Sequence, residues 1–255
     1  MLASHERLQL AALWDELVAG TTKIDGWSHT ETTWSMVVSR RPDQDRPAHP
    51  LRRRDVAILE DALLSGVRKH VAVEVGLSCS SIAVIMQSCF HFMGLSCLPS
   101  RIPGLVVAAA HSRHHFGSAA PAYETALGAE QALRERTLTF NRPDKLLAAW
   151  LAPAEHAVIH LLIEGMTYAE IAEARRTSVR TVANQVASGF RRLDVSGRAE
   201  LLCLLARWAL EAPVPPAKRP PSIAPSGAKR STARRSRART ERRSRPQSLS
   251  PSPAT

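Results

Sequence analysis

The sequence predicts a mainly α-helical protein with two tandem four-helix units, preceded by a small N-terminal helix and β-hairpin and followed by a basic tail. Three observations favour this fold class. Apolar residues recur with helical spacing through most of the chain, the pattern returns after 100 residues, and the end of the chain is rich in Pro, Ser and Arg. The predicted segments are 1–50 for the helix and hairpin, 51–112 for the first helical unit, 113–148 for a linker, 149–212 for the second helical unit and 213–255 for the tail.

The N-terminal segment begins with a predicted helix. Residues 4–19 place apolar side chains at helical spacing, and a glycine follows the last of them, which is a usual helix stop. Two runs rich in β-branched residues, 21–24 and 32–40, predict a pair of strands. The Asp25-Gly26 dipeptide follows the first run and favours a hairpin turn at that place.

A search for internal repeats finds that the chain resembles itself at an offset of 100 residues. This offset aligns Ser78 with Ser178 and Phe90 with Phe190, and it holds across about 45 residues of helical pattern. One residue of slippage falls at the end of the first helix of each copy. Both copies are therefore predicted to form a small four-helix unit.

The second copy carries clear helix boundary signals. A proline at 153 suits a first helical turn, and Thr167 with Glu170 has the form of a capping box. Ser178 and Ser196 are candidate N-caps for the next two helices. The predicted helices are 153–164, 167–175, 179–193 and 196–211.

The second copy also carries a family signature. Residues 151–201 contain LAPAE near the start, the turn EGMTYAEIA, the run SVRTV and the closing run FRRLDVSGRAEL. With these motifs the segment is similar to the LuxR/GerE-type helix-turn-helix DNA-binding domain. The resemblance implies a LuxR-type four-helix module over 149–212 that reads DNA with its third helix and dimerises through its fourth. The chain departs from the family pattern at Ala183, Gln185 and Asp194, where Lys, His and Gly are usual.

The predicted third helix, 179–193, has an apolar side and a cationic side. Five arginines and no acid lie between Arg175 and Arg192, so the charge around this helix has one sign. Helical spacing predicts that one set of side chains faces the core. This set is Val179, Val182, Val186, Phe190 and Leu193.

The remaining side of this helix has the chemistry of a major-groove reader. Asn and Gln can bond an adenine edge in a bidentate manner, Thr can contact a thymine methyl, and Arg neutralises phosphates. The alternative is a solvated helix face that carries arginines without a ligand. The candidate DNA-binding residues are Thr167, Arg176, Ser178, Arg180, Thr181, Asn184, Gln185, Ser188, Arg191, Arg192 and Arg198.

The fourth helix of the second copy is the candidate dimerisation element. Leu201, Leu205 and Trp208 form an apolar stripe that is larger than one small module needs. The family resemblance implies a homodimer on double-stranded DNA, with half-sites about one helical turn apart in an inverted repeat. The competing geometry is an internal pairing of the two copies. Pro99 and Pro103 are expected to break the helix that the first copy would need for that pairing.

The first copy, 51–112, is interpreted as a degenerate helix-turn-helix that has lost its DNA face. Between Ser78 and Met93 there is no Lys, Arg, Asp or Glu, and the third helix shows Val84, Ile85 and Phe92 in place of polar side chains. Such a face cannot neutralise phosphates. Two interpretations of it stay open, a docking surface for a partner and burial against the hairpin or the linker.

The linker and the tail complete the chain. The linker contains a predicted short helix at 123–136 and a predicted strand at 137–140. The tail has eleven Lys and Arg residues, one acid and almost no large apolar residue, so we expect it to be disordered. Its charge predicts non-specific binding to nucleic-acid phosphates, and the alternative is a tail that only increases solubility.

Composition and motifs also exclude several classes. The net charge of +11 lies almost wholly in the tail, and no catalytic or nucleotide-binding motif occurs, so we expect neither an enzyme nor a cofactor. His111, His114 and His115 lack a companion ligand at metal spacing and are expected in a solvated loop. Four cysteines without CxxC spacing and the short apolar runs favour a cytoplasmic protein without a membrane partner.

The sequence thus predicts a transcription regulator that binds specific DNA sequences and reads the major groove with helix 179–193. The alternative is a protein-interaction adaptor in which the degenerate copy docks RNA polymerase or another regulator. In that case DNA contact is secondary.

Overall fold

The computed structural model describes residues 2–30, 33–47, 49–97, 101–117 and 135–211. These residues form nine α-helices and three β-strands, together with short 3-10 turns at Asp43–Asp45 and Pro143–Ala149. The helices are α1 (Ser4–Ala19), α2 (Arg53–Ser65), α3 (Arg68–Glu74), α4 (Cys79–Phe92), α5 (Gly104–Phe116), α6 (Pro153–Ile163), α7 (Tyr168–Ala174), α8 (Val179–Leu193) and α9 (Arg198–Leu210). The strands are β1 (Thr22–His29), β2 (Thr33–Arg40) and β3 (Glu135–Asn141). The mainly helical class is therefore confirmed, and the predicted tail lies outside the described residues.

The hairpin forms, but its turn is not at Asp25-Gly26. The pairing register of β1 and β2 shifts between Ile24 and Gly26, so Asp25 is a bulge inside β1. The strands instead reverse after Thr30, whose amide donates to the carbonyl of Thr33 over 2.9 Å. The later turn is favoured because β1 then continues through Trp27, which pairs with β2.

The segment predicted as a linker supplies the third strand of the sheet. β3 pairs antiparallel with β2, and Phe140 stands opposite Trp34, with both side chains buried. The strand predicted at 137–140 is therefore present, and it belongs to the core. Most of the helix predicted at 123–136 lies outside the described residues, and its last two positions are the start of β3.

The remaining eight helices fall into two groups of four, and the first three helices of each group begin at positions 100 residues apart. The first helix group is α2–α5 and the second helix group is α6–α9. Equivalent turns carry equivalent hydrogen bonds at an offset of 100 residues, and the helices of the second group begin and end within two residues of their predicted bounds. The matched pairs are Leu77 N to Ala72 O with Thr177 N to Ala172 O (both 2.9 Å), Ser81 N to Ser78 Oγ with Thr181 N to Ser178 Oγ (both 3.0 Å), and Leu95 N to Phe90 O (2.8 Å) with Val195 N to Phe190 O (3.0 Å).

The two groups pack on each other through their last helices, α5 and α9. Leu201, Leu205 and Trp208, which we predicted to form a surface for a second protomer, are buried inside this chain. The expectation that prolines interrupt the fourth helix of the first group holds for its start, because α5 begins at Gly104, six residues later than the position equivalent to the start of α9. The expectation that they prevent pairing with the second group is wrong. Pro103 is the N-cap of an intact α5, a position that a proline tolerates because no helical N–H is needed there.

The end of α2 is a shared point of contact between the groups. The carbonyl of Leu63 accepts a hydrogen bond from Cys203 Sγ of α9 over 2.8 Å, and His111 Nε2 of α5 lies 3.3 Å from the same oxygen. Burial lowers the pKa of His111 to about 4. The predicted solvated loop for His111, His114 and His115 is therefore wrong, since all three lie on α5 and the first is buried.

The N-terminal elements share this core. α1 packs along α5, where Arg113 and Asp15 form an ion pair of 2.5 Å, and Leu2 N donates to Ala209 O at the end of α9 over 2.9 Å. One hydrophobic cluster contains buried residues from α1, the sheet and both helix groups. The segments predicted as 1–50 and 51–112 consequently have no separate cores.

The described residues were compared with the requirements of a membrane span and of a metal site. No single helix in the described ranges is long and apolar enough to cross a membrane, although the bent pair α3 and α4 passes that test by length and composition alone. In the same ranges no group of three or more His, Cys, Asp or Glu side chains is arranged to hold a metal ion.

Candidate nucleic-acid interface

Local caps position α7 and α8 and the turn between them. Thr167 Oγ1 accepts from the amide of Glu170 over 3.3 Å, and the Glu170 carboxylate accepts from the amide of Thr167 over 2.5 Å. Ser178 Oγ caps α8 by accepting from the amide of Thr181 over 3.0 Å. Thr167 and Ser178 are exposed, but both already serve as N-caps. Their first role is therefore to place the two helices.

The apolar side of α8 is anchored as the sequence predicts, with one exception. Val182, Val186 and Leu193 are buried and Phe190 is half-buried. Val179 is 49% exposed because it is the first residue of the helix and projects beyond the core. This anchoring fixes which residues of α8 face outward.

The close contact of α8 with α6 depends on a glycine. A side-chain carbon at Gly189 would lie 3.1 Å from Cγ1 of Ile159, which is tighter than ordinary van der Waals contact. The two helices therefore approach closely at this point, and the outward face of α8 is held on a rigid support.

The outward face of α8 carries exposed arginines beside short polar groups, and Arg191 donates from Nε to the carbonyl of Ala187 over 3.3 Å. Arg176, Arg180 and Arg191 are exposed, and among the described residues none of them has a carboxylate partner. Thr181 and Asn184 are exposed on the same helix. These five residues keep the roles predicted for them as candidates, since each has a side chain that a groove could receive.

Arg176 occupies a strained backbone position at the turn before α8. Its φ is 50°, in the left-handed region, and the matching residue of the first group is Gly76, with φ of 66°. A side chain at such a position costs about 1–2 kcal/mol relative to glycine. The second group therefore holds a cation at the entrance to α8 where glycine would be less strained.

Arg192 differs from the other arginines because it is ion-paired. Its Nε lies 3.1 Å from a carboxylate oxygen of Glu155, which is nearly buried at the start of α6. Burial alone would raise the pKa of Glu155, but hydrogen bonds from Ser188 and the amide of Ala152, with the charge of Arg192, lower that pKa below its ordinary value. Arg192 thus ties the end of α8 to α6, and only part of its charge faces outward.

Two predicted base-reading residues are turned toward the protein. Gln185 is half-buried, and its Oε1 is buried without a hydrogen-bond partner among the described residues. Ser188 is half-buried and bonds to Glu155. Sequence reasoning missed Glu155, although this glutamate closes the LAPAE motif, because helical spacing alone cannot show which residue it meets.

Arg198 is not part of the interface. Its guanidinium donates to the carbonyls of Leu162 over 2.8 Å, Ile163 over 2.9 Å and Ile102 over 3.0 Å. Burial lowers the pKa of Arg198 to about 10. The prediction of a phosphate contact is wrong, because the side chain satisfies the carbonyls at the end of α6 and links them to the first group.

The corresponding helix of the first group, α4, offers a neutral face. No charged residue occurs between positions 75 and 100. Val84 is 66% exposed and Ile85 is half-buried against the core. Phe92 lies 5.5 Å from the guanidinium of Arg41 and contacts the end of α1. Part of the predicted apolar face is therefore covered by the N-terminal elements, and part is open.

No family model, curated protein or solved structure matches the chain.

Proposed function

We propose that the chain is a sequence-specific DNA-binding transcription regulator of LuxR/GerE type. α8 enters the major groove, where Asn184 and Thr181 contact base edges and Arg176, Arg180 and Arg191 contact phosphates. Thr167, Ser178 and Arg192 hold this helix in place. The tail adds salt-dependent affinity without sequence preference.

The observation that supports this proposal is the exposed face of α8. It combines three arginines that have no carboxylate partner among the described residues with two short polar side chains, on a helix whose opposite side is anchored in the core. The first group has the same turns but a neutral face, so the fold alone does not require these cations. Clustered unpaired arginines around groups that can bond base edges favour a nucleic-acid ligand.

The packing of α5 on α9 favours recognition of one half-site by one chain. The stripe of Leu201, Leu205 and Trp208 is covered by the chain itself, and only one of the two groups carries a cationic reading helix. We infer that the preferred site is a single, non-palindromic half-site. A homodimer on an inverted repeat would need a surface other than this stripe.

Selection of the full chain on a random duplex library tests both parts. We expect one short, non-palindromic consensus and one chain per duplex by sedimentation. Asn184→Ala should reduce discrimination between sites by about 1–3 kcal/mol. An unchanged preferred site in this variant would show that α8 is not the reading helix.

Arg191→Ala is the matched control. This variant should weaken binding to all DNA sequences alike, because one phosphate contact is lost. It should also lower the slope of log affinity against log salt concentration by about one unit. An inverted-repeat consensus with two chains bound would retain DNA binding but overturn the single half-site.

A second candidate function, an adaptor that docks another regulator or RNA polymerase, is favoured by exposed apolar side chains of the first group. Val73 is 77% exposed and Val84 is 66% exposed. This function predicts that Val84→Ser leaves DNA binding unchanged in vitro but abolishes the effect of the chain on transcription at the sites it occupies. Normal regulation by this variant would count against the adaptor.

A further inference from the structure

A cleft of about 630 Å³ lies between the two helix groups, away from the face of α8. The first group contributes the end of α2, the start of α3, one side of α4 and part of α5, and the second group contributes the start of α9. The volume falls within the range of small-molecule sites. The cleft is therefore large enough for a ligand that contacts both groups at once.

The walls of this cleft are mainly apolar. Leu63, Met86, Val107 and Leu202 supply aliphatic surface from four different helices. Burial of an alkyl chain against such surface is favourable because it removes apolar area from water. The ligand should accordingly have an apolar body.

The charges that line the cleft all have one sign. Arg68, Lys69 and Arg198 line it, and the lining contains no Asp or Glu. Arg68 and Lys69 are exposed, and within the described ranges neither has a carboxylate partner. The acid next to the α9 wall, Glu200, is engaged by the amide of Ser196 over 2.5 Å. Glu200 keeps its charge beside this wall, so an anionic head is favoured on the opposite side of the cleft, next to Arg68 and Lys69.

We propose that this cleft binds a small amphiphile with a carboxylate head and an unbranched apolar chain. The head lies against Arg68 and Lys69, and the chain extends between α4 and α9. Because the ligand contacts both helix groups, its binding stabilises their packing. This proposal does not depend on DNA binding.

Calorimetric titration of the full chain with decanoate tests the site, with 1-decanol and acetate as probes that lack the charge or the chain. We expect one decanoate per chain, a higher melting temperature, and affinities for both other probes at least about tenfold weaker, since each lacks one half of the interaction. Equal affinity for decanol would overturn the anion site. Absence of saturable binding by decanoate would overturn the cleft as a site.

Two sets of variants locate the binding. Arg68→Gln with Lys69→Gln should weaken the binding of decanoate by about tenfold or more. Arg52→Gln with Arg53→Gln, at the exposed start of α2 and outside the cleft lining, should change that affinity less than about twofold. Ala83→Trp, which fills the cleft from α4, should abolish binding while the helical circular dichroism is kept. Unchanged affinity in both the double-glutamine cleft variant and Ala83→Trp would show that decanoate adsorbs elsewhere.

Discussion

The third helices of the two groups, α4 and α8, have the same architecture and opposite surfaces. Both begin after a serine N-cap, both bury residues at matching positions, and both follow a turn with the same backbone hydrogen bonds. α8 then exposes arginines, whereas α4 exposes valine, serine, glutamine and histidine. The residues that build the two helices with their turn and the residues that charge the outer face are therefore separate sets. The two groups share the first set and differ in the second.

The fourth helices differ in sequence but are alike in their burial. α5 and α9 have different starting residues and different sequences, yet each is largely buried and each contacts the other. The first helix group has no cationic face, but its α5 supplies the surface on which α9 of the second helix group packs. The first group therefore has a structural role whatever its outer face does.

The largest effect is expected from disrupting the hydrophobic core at the buried side of α9. Trp208→Glu places a charge in a buried site and should lower the free energy of unfolding by about 4 kcal/mol or more. Chemical unfolding followed by circular dichroism measures this loss. Arg207→Glu, one residue earlier and exposed, is the control and should cost less than about 0.5 kcal/mol. A Trp208→Glu chain as stable as the parent would mean that Trp208 is not buried in the core.

A smaller effect, on binding alone, is expected from giving α8 the surface of α4. Arg176→Gly, Arg180→Ser and Arg191→His together install the residues found 100 positions earlier. The loss of three phosphate contacts should reduce DNA affinity by about 100- to 1000-fold at 0.1 M salt and lower the salt slope by about three units. Fluorescence anisotropy at several salt concentrations measures both quantities.

The control for this exchange lies on α4. Ser80→Ala with Gln87→Ala changes an equally exposed part of the neutral face and should leave DNA affinity within about twofold. If the triple variant of α8 kept its salt slope, the cationic face would not be the phosphate-binding surface. If the α4 variant lost affinity instead, the first group would be the one that contacts DNA.

The smallest effect is expected at a position with positive φ, where a substitution can raise the folding stability while it lowers the DNA affinity. Arg176 has a positive φ, so Arg176→Gly should raise the free energy of unfolding by about 0.5–1 kcal/mol. The same variant should weaken DNA binding by up to about tenfold, because it removes a cation. Thermal unfolding and anisotropy on the same samples would detect this split. A stabilised Arg176→Gly chain with full affinity would exclude Arg176 from the interface.

Local signals in the sequence were sufficient for the helices of the second group. Capping at Thr167 and Ser178 depends on residues three positions apart, and the buried side of α8 follows from spacing. The outward position of Asn184 follows from the same spacing. These features could be predicted because they depend on neighbours along the chain.

Features that depend on distant residues were missed. The place of β3 is set by pairing with β2, a strand about 100 residues earlier, and the burial of Arg198 is set by carbonyls of α6 and by Ile102. The sequence argued against pairing of α5 with α9, because the two prolines before α5 are expected to break a helix. The helix instead begins after them. Pattern alone gives no information on which surfaces meet.

Because α5 and α9 belong to one chain, their pairing affects how the fraction of occupied DNA sites should depend on the concentration of the protein. Two separate protomers must find each other before they bind a palindrome, so occupancy then rises steeply with concentration. In this chain the pairing is intramolecular and independent of dilution. With a single half-site bound by a single chain, occupancy should follow a simple hyperbola with a Hill coefficient of one. A cell would then obtain a graded response to the amount of this protein rather than a threshold.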